Sequence, residues 1–298
     1  MIGAVDIGGT KIAVGMLDRD GRILSRREAP SGPGLALSDG LELIFALLRE
    51  TSRQAGGELE GIGVGCTGPV EALAGMLQRI EFLPTWEGCH LTAELQAAFG
   101  VTAFLENDAD AAALGELAWG SGRGAKRFIY VTVSTGIGAG LVLDGHLYRG
   151  VDGAHPEIGH HVIDPSGPLC SCGAHGCWES LAAGPALAAR AGLPGALQVC
   201  QAAERGDAAA RAAVEREAFY LGLGLANLVT LYTPDVIALG GGVMRSRHLF
   251  WDRILRTIRE NCGLVPHEKT RLVPAQLGGE VGLAGAARVW ITRSQSSI

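Results

Sequence analysis

Between His155 and Glu179 the chain gathers side chains that bind metals and protons: HPEIGHHVIDPSGPLCSCGAHGCWE. Cys170, Cys172 and Cys177 fall within eight positions, and His160 stands ten residues before the first of them. Thiolate and imidazole are the ligands a tetrahedral Zn²⁺ prefers, usually four in number, so these residues form a Cys₃His set for a structural ion. C-x-C-G-x-x-G-C closes a tight loop in which Gly173 and Gly176 free the backbone to turn. Two carboxylates bracket the ligands, Glu157 before His160 and Glu179 after Cys177. A knot that fixes a histidine and two carboxylates suits the wall of a polar-substrate pocket, although the same ligands also suit a clip with no such role. Seven cysteines, an odd count, and the lack of a secretory signal argue against a disulfide framework.

Three further stretches carry chemistry. Asp6 ends a short apolar run and is followed by Gly8, Gly9, Thr10 and Lys11, a turn whose backbone N–H groups suit phosphate oxygens. Asp6 could hold Mg²⁺ through water, since Mg²⁺ keeps most of its waters. Glu106, Asn107, Asp108 and Asp110 sit where an apolar run meets an Ala-rich one. One of them is expected as an ordinary N-cap, but a carboxylate at a strand's C-terminal end facing a crevice is also placed to act as a general base. STGIGAG (134–140) is a second Gly/Ser/Thr turn, and Gly240, Gly241 and Gly242 end a buried strand where backbone could lie against a flat ring. Each glycine stretch can equally be an ordinary turn.

The elements that must position these groups follow from periodicity. Residues 2–30 read as strand, glycine turn, strand, turn, strand, a β-meander and not a βαβ unit. Helical spacing covers 37–54 and ends before Gly56-Gly57. A buried strand at 61–66 runs into the loop Thr67-Gly68-Pro69; a loop at 83–86 carries Trp86 as lid or core; a helix covers 90–99 and a strand follows. Residues 128–150 repeat the opening plan, since VDIGGTKIAVGMLDRDG and VSTGIGAGLVLDG share strand, turn, strand and Asp-Gly turn. The repeat, with a period near 128 residues, predicts two related halves facing one another. Helices are expected over 183–231, 247–261 and from 281, a strand ending in three glycines within 234–244 and another at 271–275, and a frayed tail SQSSI.

Composition excludes whole classes. The 298 residues, 47% apolar and 19% charged, describe a folded protein of two domains or one large one. The 45 glycines are far above a roughly 7% background. A net charge of −6 leaves no footprint for nucleic acid. No apolar run approaches the roughly 18 residues a membrane helix needs, and the chain opens directly into a strand, so a cytoplasmic location is expected.

The motifs together resemble the bacterial sugar kinases of the ROK family (repressor, open reading frame, kinase), within the actin-like ATPase superfamily. DIGGTK, LENDA, STGIGAG and LGGGV occur in the family's order, and Glu157, His160, the three cysteines and Glu179 fall at family spacing. The resemblance implies an α/β fold of two actin-like (ribonuclease H-like) domains. Each would be a mixed β-sheet with flanking helices, with the active-site cleft between them. The expected division is a smaller domain over 1–118 and a larger one over 119–298 carrying the zinc loop 155–179, with a C-terminal helix from about 285 packing back on the first.

The implied activity is ATP-dependent phosphorylation of a hexose hydroxyl, with Asp108 as base. Gly68, Asn107, Asp108, Glu157, His160 and Glu179 would contact the sugar, and Zn²⁺ would sit on His160, Cys170, Cys172 and Cys177. Asp6, Gly8, Gly9, Thr10, Lys11, Ser134, Thr135, Gly136, Gly138, Gly240, Gly241 and Gly242 would contact ATP and its Mg²⁺. The two ring nitrogens of His160 are distinct, so one can meet metal and the other sugar. The family implies homodimers or homotetramers.

Three departures bear on the sugar: HPE at 155–157 where many family glucokinases have Gly-Glu, Thr67 in place of Pro, and Phe82 in place of Asn. Glucose leads, with fructose, N-acetylmannosamine and N-acetylglucosamine as alternatives, and polyphosphate as a second donor. A DNA-binding repressor would need a helix-turn-helix, and only five residues precede DIGGT. A sugar sensor without turnover would be expected to lose Asp108 or a phosphate turn. A zinc-ribbon interaction module would need no phosphate turns.

Overall fold

The computed structural model describes residues 1–295, so the last three residues of the expected SQSSI tail lie outside the described residues. The opening apolar runs pair as an antiparallel meander: β1 (Ile2–Ile7), β2 (Lys11–Leu17) and β3 (Ile23–Pro30). α1 (Leu37–Ala55) buries Ile44, Leu47 and Leu48 and stops at Gly56, whose φ of 66° is open to glycine. β4 (Gly61–Cys66) then runs parallel to β1. After a small hairpin, β5 (Val70–Glu71) and β6 (Met76–Leu77), come α2 (Leu91–Phe99), β7 (Thr102–Asn107) parallel to β4, and α3 (Asp108–Trp119).

The second half reuses the plan. β8 (Phe128–Val133), β9 (Ile137–Leu143) and β10 (His146–Leu147) form a meander. α4 (Trp178–Ala182), α5 (Gly184–Ala191), α6 (Ala196–Glu204) and α7 (Ala208–Tyr232) lead to β11 (Val236–Gly240). α8 (Trp251–Asn261), β12 (Arg271–Pro274) and α9 (Val281–Gln295) complete the described chain. One sheet has the order β3-β2-β1-β4-β7 and the other β10-β9-β8-β11-β12, the same topology strand for strand. Ile2 opens one copy and Phe128 the other, close to the period read from the sequence.

Three details differ from the sequence reading. The turn at 134–140 is shorter, because β9 already begins at Ile137. Residues 84–86 form a 3₁₀ turn and Trp86 is core, fully buried with its indole N–H donating to the Leu35 carbonyl at 3.0 Å. The segment before α8 is 3₁₀ with a break at Ser246, so the regular helix starts at Trp251 and not near 247. No helix among the described residues is long and apolar enough to cross a membrane.

Two helices organise the space between the sheets. α9 returns to lie on β1, β4 and α3. Its approach needs glycine: a Cβ on Gly63 would fall 1.7 Å from the Ala286 carbonyl oxygen, and one on Gly61 1.9 Å from the Trp290 indole nitrogen. α3 touches both sheets, and Gly140 of β9 admits it, since a Cβ there would lie 2.6 Å from the Ala109 carbonyl. We expect Gly63→Ala to destabilise by about 1–3 kcal/mol, the range for overpacking a well-filled interior. Urea unfolding checks this: the midpoint should fall with the slope unchanged. An unchanged midpoint would mean that α9 is not seated against β4.

Candidate functional site

The first residue of α3 is Asp108, and the strand before it ends on Asn107. Asn107 is the N-cap: its Oδ1 accepts from the Ala109 N–H at 2.8 Å, and its Nδ2 donates to the Gly68 carbonyl at 3.4 Å. One amide hydrogen and one lone pair of Asn107 remain for a ligand. Gly68 holds φ at 82°, which turns the loop after β4 toward this junction. Asp108 accepts from the same Ala109 N–H at 2.8 Å and is half-buried. Burial raises its carboxyl above the usual carboxylate range; the Ala109 N–H and the charge of His155 oppose this, while Asp110 and Glu157 add to it. The helix N-terminus favours a carboxylate here.

The cysteine loop folds as its glycines suggest. Gly173 and Gly176 take φ of 91° and 69°, and a Cβ on Gly176 would lie 1.6 Å from the Asp164 carbonyl oxygen. Backbone bridges pair Val162 with Cys177 and Leu169 with His175. The ligand atoms of His160, Cys170, Cys172 and Cys177 all lie within 4.8 Å of one another. Cys170 Sγ is 3.4 Å from His160 Nδ1, and the Cys172 and Cys177 sulfurs are 3.5 Å apart. A tetrahedron with zinc–sulfur and zinc–nitrogen bonds has edges of roughly 3.5–3.8 Å, so the four groups fit such an ion. All the cysteines are free thiols.

His160 therefore presents Nδ1 to the sulfurs, and its Nε2 lies 3.9 Å from Glu179 Oε1. Cys177 caps α4, which places Glu179 in that helix's first turn. The other oxygen of Glu179 accepts from the Ile137 N–H at 2.9 Å. A Cβ on Gly136 would fall 2.4 Å from that oxygen, so the turn between β8 and β9 presses on Glu179. The metal-site candidate and the second glycine turn are thus one structure.

The first glycine turn closes with the Gly8 N–H donating to the Lys11 carbonyl at 2.9 Å, while Ser31 donates to the Gly8 carbonyl at 2.7 Å. Phe82 covers it, since a Cβ on Gly9 would meet the Phe82 ring at 3.1 Å. Thr10 and Lys11 are exposed, and Lys11 reaches Glu28 at 3.3 Å. Asp6 lies at the end of β1, where burial pushes its carboxyl up to about 7, with Asp108 adding to the rise and Lys11 opposing it.

A cleft of about 440 Å³ opens beside the second turn, lined by Ser134, Thr135 and Gly242 and by Pro185, Leu197 and Arg245. Of Gly240, which ends β11, and Gly241 and Gly242 after it, only Gly242 lines the cleft. Gly240 backs onto Tyr130, where a Cβ would come within 2.5 Å of the phenol oxygen, and Gly241 needs its φ of 89° beside the Val133 backbone. Gly138 lies inside β9, where a Cβ would meet the Ala109 methyl at 3.3 Å; it serves the packing of α3. The cleft walls from α5 and α6 had no sequence signal, because Ala-rich helices look alike whatever they face.

Two ion pairs were also invisible in sequence. Arg149 forks onto both carboxylate oxygens of fully buried Glu106. His155 Nδ1 meets Asp110 Oδ2 at 2.8 Å. Both carboxylates of the END-A-D stretch other than Asp108 are therefore engaged by one segment, 149–155, of the other half. A cavity of about 590 Å³ lies between that segment and the β5–β6 hairpin, with His155 and Glu157 in its wall.

The ROK family profile matches residues 2–293. The chain belongs to the ROK family. Among solved structures, a ROK hexokinase from Thermus thermophilus superposes with a TM-score of 0.88 at 36% identity, over 99% of each chain. A ROK family glucokinase from Streptomyces griseus, solved with glucose and AMPPNP, gives a TM-score of 0.78 at 33% identity over 96% of this chain and 97% of that one. The glucokinase of Streptomyces coelicolor is 33% identical over 95% of each chain. ROK proteins of another kind are also similar: the xylose repressor of Bacillus subtilis is 29% identical over 96% of this chain and 76% of its own length. The two mixed sheets of this ROK chain are the fold of these relatives.

Proposed function

We propose that this ROK protein is an ATP-dependent hexose kinase acting on glucose first, with Asp108 as the base that takes the proton from the attacking hydroxyl. The observation that carries the reading is the position of Asp108. It opens the helix that touches both sheets, it interacts electrostatically with Asp6 near the end of β1 and with Glu157, and burial raises its carboxyl above the usual carboxylate range, in the direction useful to a base. Relatives named glucokinase, one solved with glucose and a nucleotide analogue, support the substrates.

Asn107, Glu157, Glu179, His160 Nε2 and the Gly68 backbone would hold the remaining hydroxyls. Zn²⁺ would be held by His160 Nδ1, Cys170, Cys172 and Cys177, and would fix the ring so that Nε2 faces the sugar. The turns at 8–11 and 134–136 would take the phosphates by their N–H groups, and the cleft at Gly242 the adenosine. Mg²⁺ travels with ATP and would neutralise its phosphate charge, with Asp6 reaching it through water. Phosphoryl transfer asks the protein mainly for alignment and charge compensation, which these residues supply.

In this reading 1–118 and 119–298 are two units that close over the sugar and exclude water, with α9 serving the first. Apolar helices of the second half would provide the contacts of a homodimer or homotetramer. The test is product identity. Glucose with MgATP should yield glucose 6-phosphate, seen by ³¹P NMR as a new phosphomonoester. No new ester with any hexose would refute the reading. The xylose-repressor relatives favour a second reading, a sugar sensor, for which sugar would bind and no ester would form.

A further inference from the structure

We propose that His155, held as an imidazolium by Asp110, is a positioning residue whose charge keeps Asp108 ionised and ready to accept the sugar's proton. The proposal rests on the assignment of Asp108 as base and names a group that assignment does not require.

Asp110 is only 2% exposed. One of its oxygens meets His155 Nδ1 at 2.8 Å, and the other has no hydrogen-bond partner. A buried carboxylate lacking a full set of donors needs a compensating charge. Glu106, in β7 four residues before it, has Arg149 and Arg293 nearby, whereas the cation facing Asp110 is His155.

The imidazole is itself 11% exposed and contacts Asp110 of α3, while Glu157 of its own segment and Asp108 of α3 act on it through their charge. Glu71 of β5 lines the same cavity at the surface. Burial works against its charge, but these neighbours outweigh burial and raise its pKa above the ordinary histidine value. Around Asp108 stand Asp6 of β1, Asp110, Glu157 and His155, with the Cys66 thiol and Tyr130 phenol kept neutral by burial. Among these groups His155 alone brings positive charge. Lys11, the cation of the phosphate turn, acts on Asp6.

The two titrations fit together. The charge of His155 is complete at acid pH and lost as pH rises through its raised pKa. Asp108 needs help only at acid pH, where protonation would disable it. Removing the charge should therefore move the acid limb of kcat/KM to higher pH and matter little at alkaline pH. An opposite charge within about 4–6 Å lowers a carboxyl pKa by roughly one unit or more, and less when it is farther away.

The experiment is the pH profile of sugar phosphorylation for the full chain, His155→Gln and Asp110→Asn, with the histidine ring followed by NMR. We expect His155→Gln to lose about 3–10-fold more at pH 6 than at pH 8.5. The His155 ring signal, assigned by its absence in His155→Gln, should be that of an imidazolium at pH 7. In Asp110→Asn it should titrate in the ordinary histidine range. A neutral ring at pH 7, a loss equal at all pH values, or no loss at all would overturn the proposal. The ring titration needs no turnover, so it separates failure here from failure of Asp108 as base, which active Asp108→Asn would show.

Discussion

Asp108→Asn lowers turnover by about 10²–10⁴-fold, the usual contribution of a positioned base, while sugar affinity stays within severalfold. The change is nearly isosteric. The side-chain oxygen of Asn can still accept from the Ala109 N–H that Asp108 uses at 2.8 Å, and the residue keeps its place as the first of α3. Asn107 remains the cap, so the helix start is secure without Asp108. What disappears is a carboxyl group able to take a proton. Steady-state kcat, with sugar binding by calorimetry, checks both halves. Turnover within tenfold of the parent would remove Asp108 as base. Lost sugar binding would instead make it a substrate anchor.

Cys172→Ala is the second large effect. Cys172 is exposed, whereas Cys177 is fully buried and Cys170 nearly so. Its sulfur supports little packing, and its loss tests ligation with least disturbance to the core. Removing one of the four proposed ligands should cost most of the zinc the protein would hold and free His160, whose Nδ1 is 3.4 Å from Cys170 Sγ. His160 in turn faces Glu179, which is hydrogen-bonded to the second phosphate turn. Supporting groups around a metal are worth about 10–100-fold in activity or affinity, and a loss of kcat/KM in that range is expected, with a lower Tm. Metal analysis and kinetics check it. Zinc retained at one per chain with full activity would separate the cysteine loop from the site.

Much of this was legible because local chemistry fixed it. Alternating apolar runs around IGGTK and STG can only be hairpins, and their likeness announced two sheets of one topology. Three cysteines and a histidine at short spacing needed no tertiary information. The rest was set by contacts between distant residues. Glu106 and Arg149 are 43 positions apart, and Asp110 and His155 are 45. Sequence showed four polar residues within five positions and could not say that two of them answer to one distant segment. Gly138 was read for the phosphates and Gly240 for adenosine, and sequence could not show that a helix packs on the first and a tyrosine on the second. Trp86 stood open as lid or core until Gly40, where a Cβ would lie 2.0 Å from its ring, showed how closely it is packed.

The most direct test of the account is ADP release from MgATP, coupled to a dye. The panel is glucose, fructose, mannose, N-acetylmannosamine and N-acetylglucosamine, with Asp108→Asn as the blank. The account predicts sugar-dependent release with glucose the best substrate by kcat/KM, and release at least about a hundredfold slower in the blank. Sugar binding without ADP release from any member, or equal release in the blank, would contradict it.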